Sequence, residues 1–135
     1  MATQDQTQNS PSTQSASALN FNSIMIGTSQ QAALAEFYAK FFGRPADWSD
    51  GGYSGWKVGD GFITIGAHSE VQGKAKEPAR ILINFECNTV REEFERVKNL
   101  GATVVKEPYE MEGGWIATLA DPDGNYLQLN TPWEG

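Results

Sequence analysis

The chain has one cysteine and one histidine. A lone Cys87 excludes any bridge within the chain and gives no sign of an oxidising compartment. With apolar Ile83 and Phe85 at alternate positions before it, Cys87 reads as a buried structural thiol rather than a reactive one. A lone His68 leaves no imidazole cluster, and no serine has a histidine neighbour in the order a hydrolase triad needs. Basic residues are also scarce: 10 Lys and Arg stand against 17 Asp and Glu, for a net charge of −7. No basic stripe is available to neutralise phosphates, which excludes a nucleic-acid binder, and the same charge disfavours an anionic membrane surface. No apolar run approaches the roughly 18–20 residues that span a bilayer. The opening residues, MATQDQTQNS, lack the basic start and apolar core of a secretion signal, so the cytoplasm is the expected location.

What is present begins after a polar stretch. Residues 1–19 are almost all Gln, Ser, Thr, Asn and Ala, too poor in apolar surface to offset the entropy of ordering, and are expected to be a disordered tail. A single domain is expected over 20–135, with a first module at 20–67, a polar linker at 68–78 and a second module at 79–131. In FNSIMIG, Ile24 and Ile26 alternate with Ser23 and Met25, the pattern of a half-buried strand. Thr28 and Gln31 have the spacing of a capping box, and Leu34, Phe37, Tyr38, Phe41 and Phe42 then mark one helical face that stops at Gly43 and Pro45. Strands are expected at 46–49, 53–58 and 62–67, the last two joined by Gly59-Asp60-Gly61.

After the linker the order repeats. In RILINFEC, Ile81, Ile83, Phe85 and Cys87 face one way, and Leu82, Asn84 and Glu86 the other. Thr89 and Glu92 suggest a second capping box; Val90, Phe94, Val97 and Leu100 form the buried stripe of a helix ending at Gly101. Strands near 103–106, 115–120 and 126–130 follow, the last two joined by Asp121-Pro122-Asp123-Gly124. In that turn Pro sets φ, Asp bonds back to the backbone and Gly takes a positive φ. Turn geometry therefore accounts for Asp121 and Asp123 without a paired-carboxylate glycosidase site. Likewise GDG and GGW are turns with no helix after them, so they are not phosphate loops. The duplication points to an α+β fold: two tandem βαβββ modules forming a cupped, partly open mixed β-sheet barrel, with one helix per module on the outside.

The segments GTSQQAALAEFYAKFFG, INFECNTVREEFERVKNLGATVVKEPYE and GGWIATLADPDGNYLQLNTP, with Phe37-Tyr38 near the end of the first helix and the turn from Asp121 to Asn125, resemble the glyoxalase / bleomycin-resistance / extradiol-dioxygenase proteins of the vicinal oxygen chelate superfamily. The resemblance runs from about Phe21 to Trp133. Metal-dependent members hold a divalent ion with His and Glu side chains projecting from facing strands. The resemblance places those positions here on Ser23, Thr64, Leu82 and Gln128. A catalytic divalent ion needs carboxylates or imidazoles; hydroxyls and a neutral amide are poor ligands, and leucine is none. The expectation is therefore a protein without a metal or other cofactor, which argues against lyase, epimerase, dioxygenase and thiol-transfer activities.

The expected cup is lined by Trp56, Phe62, Trp115 and Tyr126 on its strands, with Tyr53, Tyr109 and Met111 at the rim. Such aromatic walls favour flat or amphipathic small molecules, although any one ring can equally fill the cup or an interface. Ser23, Met25, Thr64, Leu82, Asn84 and Gln128 complete the candidate ligand-binding set, and Glu86 is the candidate catalytic base, to be set against a solvated strand-end carboxylate. Three readings stay open: a metal-free binding protein, a superfamily enzyme with a non-standard site around Glu86, and an accessory module whose cup is filled. The resemblance also implies a homodimer, with Trp48 and Trp133 compatible with its interface; the partners expected are a small molecule and a second copy, with no nucleic acid and no membrane.

Overall fold

The computed structural model describes residues 17–132; most of the polar tail, and Trp133, lie outside them. Each half follows the same course. The first runs β1 (Ser23–Thr28), α1 (Gln31–Phe42), β2 (Trp48–Asp50), β3 (Tyr53–Val58) and β4 (Gly61–Ala67). The second runs β5 (Leu82–Glu86), α2 (Val90–Asn99), β6 (Thr103–Met111), β7 (Gly114–Ala120) and β8 (Tyr126–Asn130), after a single 3-10 turn at Pro78–Arg80. The strands form two mixed four-stranded sheets of order β1-β4-β3-β2 and β5-β8-β7-β6, parallel only where β1 meets β4 and β5 meets β8. Neither sheet closes on the other, so the barrel stays open.

The apolar alternation determines which side of each sheet meets a helix. Ile26, Ile63, Ile65 and Trp56 of the first sheet are buried together with Leu34, Phe37, Tyr38 and Phe41 of α1, while Ala117, Leu119, Leu127 and Leu129 of the second are buried with Val90, Phe94 and Val97 of α2. These form one continuous core. Phe85 of β5 lies edge-on to Phe41 and Phe42, with ring centres 5.0 and 5.8 Å apart. Arg96 of α2 donates to the carbonyls of Lys40 and Phe41 at 2.9 and 2.8 Å, tying the free C-terminal end of α1 to the second module. The halves are thus joined within one chain through their helix-facing sides, and the opposite, open faces carry Ser23, Met25, Phe62 and Thr64 in one sheet and Leu82, Asn84, Tyr126 and Gln128 in the other.

Four local expectations are corrected. Thr28 does not cap α1: it is the last residue of β1, paired with Ala67, and its hydroxyl takes the Gln30 N–H at 3.0 Å, one step before the helix starts. Thr89 does occupy the N-cap of α2, but its hydroxyl makes no capping bond; Glu92 and Glu93 in the first turn favour the helix through its dipole instead. The edge strand expected at 46–49 lies at Trp48–Asp50, where the two-residue turn Gly51-Gly52 aligns Trp48 with Gly55 and Asp50 with Tyr53. The strand expected to stop at Lys106 continues to Met111. Two register shifts, between Val104 and Lys106 and between Lys106 and Tyr109, let an edge strand absorb Pro108, which has no N–H to give the ladder. The Gly43 stop behaves as read, with φ +74° and bonds back to the end of α1, and Gly124 takes φ +85° in the Asp121–Gly124 turn.

Candidate functional site

Strand parity sorts the candidate residues. Ser23 stands beside Phe62, and Met25 beside Thr64, on the open face of the first sheet. Leu82 stands beside Tyr126, Asn84 beside Gln128 and Glu86 beside Asn130 on the open face of the second. Tyr109 and Met111 are on the same face of β6, opposite Ile116 and Gly114, so they belong to a strand rather than to a rim loop.

Two residues leave the candidate set. Trp56 is 1% exposed and points to the helix side, against Phe42 at 5.7 Å, where its indole N–H finds the Arg44 carbonyl at 3.0 Å. Burial of a large ring with its one donor satisfied makes it a core residue. Trp115 shares the parity of Ala117 and Leu119, and its ring lies 4.5 Å under the Arg91 guanidinium of α2, a cation–π contact on the helix side.

On the open face of the second sheet, neutral polar side chains form a bonded row. Asn130 Nδ2 donates to Asn84 Oδ1 at 3.0 Å, Asn84 Nδ2 to the Leu82 carbonyl at 3.3 Å, and Gln128 Nε2 to Thr118 Oγ1 at 3.2 Å. Glu86 is exposed at the strand end, without the desolvated setting that adapts a carboxylate to proton transfer. His68 is exposed as well, its Nδ1 accepting the Glu70 N–H at 3.2 Å in a turn that lies over Gly27.

The positions that would hold a metal do not fit one. Ser23 and Thr64 offer hydroxyls, Leu82 offers nothing, and the Gln128 amide is already engaged with Thr118. Among the described residues no group of three or more His, Cys, Asp and Glu side chains comes together to hold a metal ion.

Four clefts touch candidate residues. One of about 470 Å³ opens along β1 and the start of β5, between Met25, Gly27, Lys76, Arg80, Ile81 and Tyr126. Another, of about 260 Å³, lies between Phe62, Ile24, Ile83 and Asn84. A third, of about 360 Å³, adjoins Met111 and Trp115 near the β6–β7 turn, where Glu112 (φ +51°) and Gly113 (φ +84°) both take the left-handed conformation of a tight hairpin. A fourth, of about 220 Å³, lies beside Phe85, Glu86 and Arg96. Trp48, expected only as an aromatic compatible with a dimer interface, is an additional residue of the open face. Register places it opposite Gly55 on that face, and an aromatic and a glycine flanking the single Gly51-Gly52 turn were the signal available.

A duplicated βαβββ frame with its helices on one side and open sheet faces on the other defines a paired-module α+β class. The glyoxalase-like domain profile matches residues 23–130, and the chain belongs to that family, within the vicinal oxygen chelate superfamily. The fold is similar to that of a glyoxalase/bleomycin resistance protein from Albidiferax ferrireducens T118 (19% identity, 84% of this chain and 98% of that one, TM-score 0.69). It is also similar to a glyoxalase/bleomycin resistance protein/dioxygenase family enzyme from Burkholderia phytofirmans PsJN (26% identity, 82% and 96%, TM-score 0.68). A glyoxalase-related enzyme from Fulvimarina pelagi aligns at 17% identity over 84% of this chain and 88% of its own, with a TM-score of 0.67. Among curated proteins no significant match is found. No helix among the described residues is long and apolar enough to cross a membrane.

Proposed function

We propose that the protein binds a small aromatic or amphipathic molecule on the open faces of its sheets, without a metal. One observation carries this reading: Met25, Leu82, Tyr109 and Met111 remain between 36 and 48% exposed on the faces where metal-dependent relatives place their ligands, beside a row of neutral amides. Apolar walls with a few orienting polar groups suit a ligand held by contact area. The same donors are poor partners for a divalent ion, which weighs against the lyase and dioxygenase chemistries. A homodimer belongs to the same proposal, since a second copy would shelter apolar side chains that one chain leaves open.

The test is native mass spectrometry of untagged protein after mild purification. A mass of twice the 14.8 kDa chain carrying a stoichiometric organic increment and no metal supports the reading. One divalent ion per chain overturns it in favour of a metal-dependent enzyme. A bare single chain that takes up no small molecule overturns it in favour of an accessory module.

A further inference from the structure

We propose that Trp48 and Tyr53 form a preorganised stacking platform on the open face of the first sheet, and that its ligand is a planar aromatic molecule with a single positive charge. This rests on the binding reading above and narrows it to a wall and a ligand class.

Trp48 stands directly opposite Gly55, and Tyr53 directly opposite Gly66. A Cβ on Gly55 would lie 2.5 Å from the Trp48 Nε1 and 2.6 Å from its Cε2. A Cβ on Gly66 would lie 2.6 Å from Tyr53 Cε1 and 2.6 Å from the Met25 Cε. Neither glycine has a positive φ, so the backbone does not demand glycine at these positions; the space the rings occupy does. Each ring therefore lies on bare backbone, in a seat that any larger residue would fill.

Covering a strand glycine with a cross-strand ring recovers some sheet stability, and that accounts for the inner face of each ring. It leaves the outer faces unexplained. Trp48 is 43% and Tyr53 41% exposed, and Met25 beside them 48%. A seated ring has already lost its rotamer freedom, so a flat molecule stacking on its outer face orders little that is not ordered already.

The charge around the platform selects among flat molecules. Indole and phenol faces carry negative quadrupole potential and attract cations. Asp50 faces Tyr53 across the β2–β3 ladder, on the same side of the sheet. The lysine that β3 places on that face, Lys57, turns its Nζ to the Gly59 carbonyl at 3.2 Å, at the far end of the strand. The chain as a whole carries −7. A planar anion finds no partner in this arrangement, and a planar monocation finds both a π face and a carboxylate.

The experiment titrates the full chain with 9-aminoacridine, a planar monocation, and with two comparators: acridine-9-carboxylate, planar but anionic, and 1-adamantylamine, cationic but not flat. Wild type is expected to bind 9-aminoacridine at least tenfold more tightly than either comparator. Trp48→Ala and Tyr53→Ala should each lose tenfold or more, and so should Gly55→Ala, which keeps the indole but pushes it off its seat. Thermal melts and circular dichroism confirm folding, and Trp48→Leu replaces any variant that fails to fold. Equal binding of the comparators overturns the ligand class. Wild-type affinity in both Trp48→Ala and Gly55→Ala overturns the platform while leaving the binding reading intact. No binding of any of the three compounds, with no organic mass on the native protein, overturns both. A fall from dimer to single chain in Trp48→Ala with unchanged affinity makes the rings an interface between copies, and overturns the platform too.

Discussion

The Tyr38 hydroxyl donates a 2.6 Å hydrogen bond to Oδ2 of Asp121, joining the middle of α1 to the β7–β8 turn of the other module. Both residues are buried, and Asp121 is saturated from the turn as well: Oδ1 accepts the N–H groups of Asp123 and Asn125 at 2.9 and 3.0 Å. Gln30, at the start of α1, reaches the Asp123 carboxylate in the same turn. The two sequence marks of the family, Phe37-Tyr38 and the Asp121–Asn125 turn, are therefore the two sides of one contact, and its role is to lock the modules together.

Tyr38→Phe removes the donor and leaves the buried carboxylate short of a partner. A hydrogen bond to a charged group is worth about 1.5–3 kcal/mol, and the variant should lose that much stability in urea titration at neutral pH. The phenol also carries a pH signature. Burial first, then the Asp121 charge and hydrogen bond, hold its pKa well above the ordinary value of about 10. The folded state thus keeps the proton more tightly than the unfolded chain. That stability is complete below pH of about 10 and declines as pH rises beyond it. The gap between wild type and Tyr38→Phe should accordingly be constant up to that pH and narrow above it; a gap that widens in alkali would contradict the assignment.

The elements that were legible in the sequence are those in which one parity or one helical stripe is apolar. Ile24 and Ile26, the α1 stripe from Leu34 to Phe41 and the Asp121–Gly124 turn are of this kind, because burial and φ requirements leave one solution. Trp56 was not legible in this way: β3 reads Tyr53-Ser54-Gly55-Trp56, with aromatics at both parities, and only its pairing with Ile63 turns Trp56 toward α1. Trp115 sits in the same kind of ambiguity, beside Ile116 on the opposite face. The length of β6 was hidden by Pro108, which reads as a break until the bulges that accommodate it are seen. At the candidate site, the lack of ionic donors at Ser23, Thr64, Leu82 and Gln128 was readable residue by residue. The amide row and the seated rings were not, because both depend on register across strands.

Arg96 gives a second test of how the halves are joined. Its guanidinium donates to the Phe41 carbonyl at the C-terminal end of α1 and adds a second donor to the Lys40 carbonyl, which the Gly43 N–H already reaches, while pairing with Glu93 at 2.8 Å on its own helix. The side chain is 40% exposed, so the cost of Arg96→Ala is set at about 1–2 kcal/mol rather than at the buried-charge extreme. Hydrogen exchange should localise the loss to the last turn of α1 and the Gly43 stop. Protection unchanged there would show that Arg96 is not the clamp.

Metal addition tests the donor argument directly. Dialysed protein titrated with Zn²⁺, Ni²⁺ or Mn²⁺ should show no stoichiometric uptake, and a chelator should leave the melting temperature where it was, since a ligand bound only by the folded state would raise it. A melting temperature that rises with one equivalent of any of these ions would require carboxylates from outside the Ser23, Thr64, Leu82 and Gln128 set, and would reopen the enzyme reading.

Glu86 and Gln128 separate the remaining alternatives, because they lie on one face and differ in setting. Glu86 is exposed at the end of β5, whereas Gln128 is half-buried and held by Thr118 at 3.2 Å. A binding protein that orients its ligand through neutral amides should lose affinity on Gln128→Leu, by roughly the 0.5–1.5 kcal/mol of an ordinary hydrogen bond, while Glu86→Gln changes nothing measurable. An enzyme with Glu86 as its base predicts the reverse: binding retained in Glu86→Gln and turnover lost, with Gln128→Leu acting mainly on binding. Calorimetry on both variants, run beside a turnover assay on whatever ligand co-purifies, decides between the two by which substitution moves which quantity.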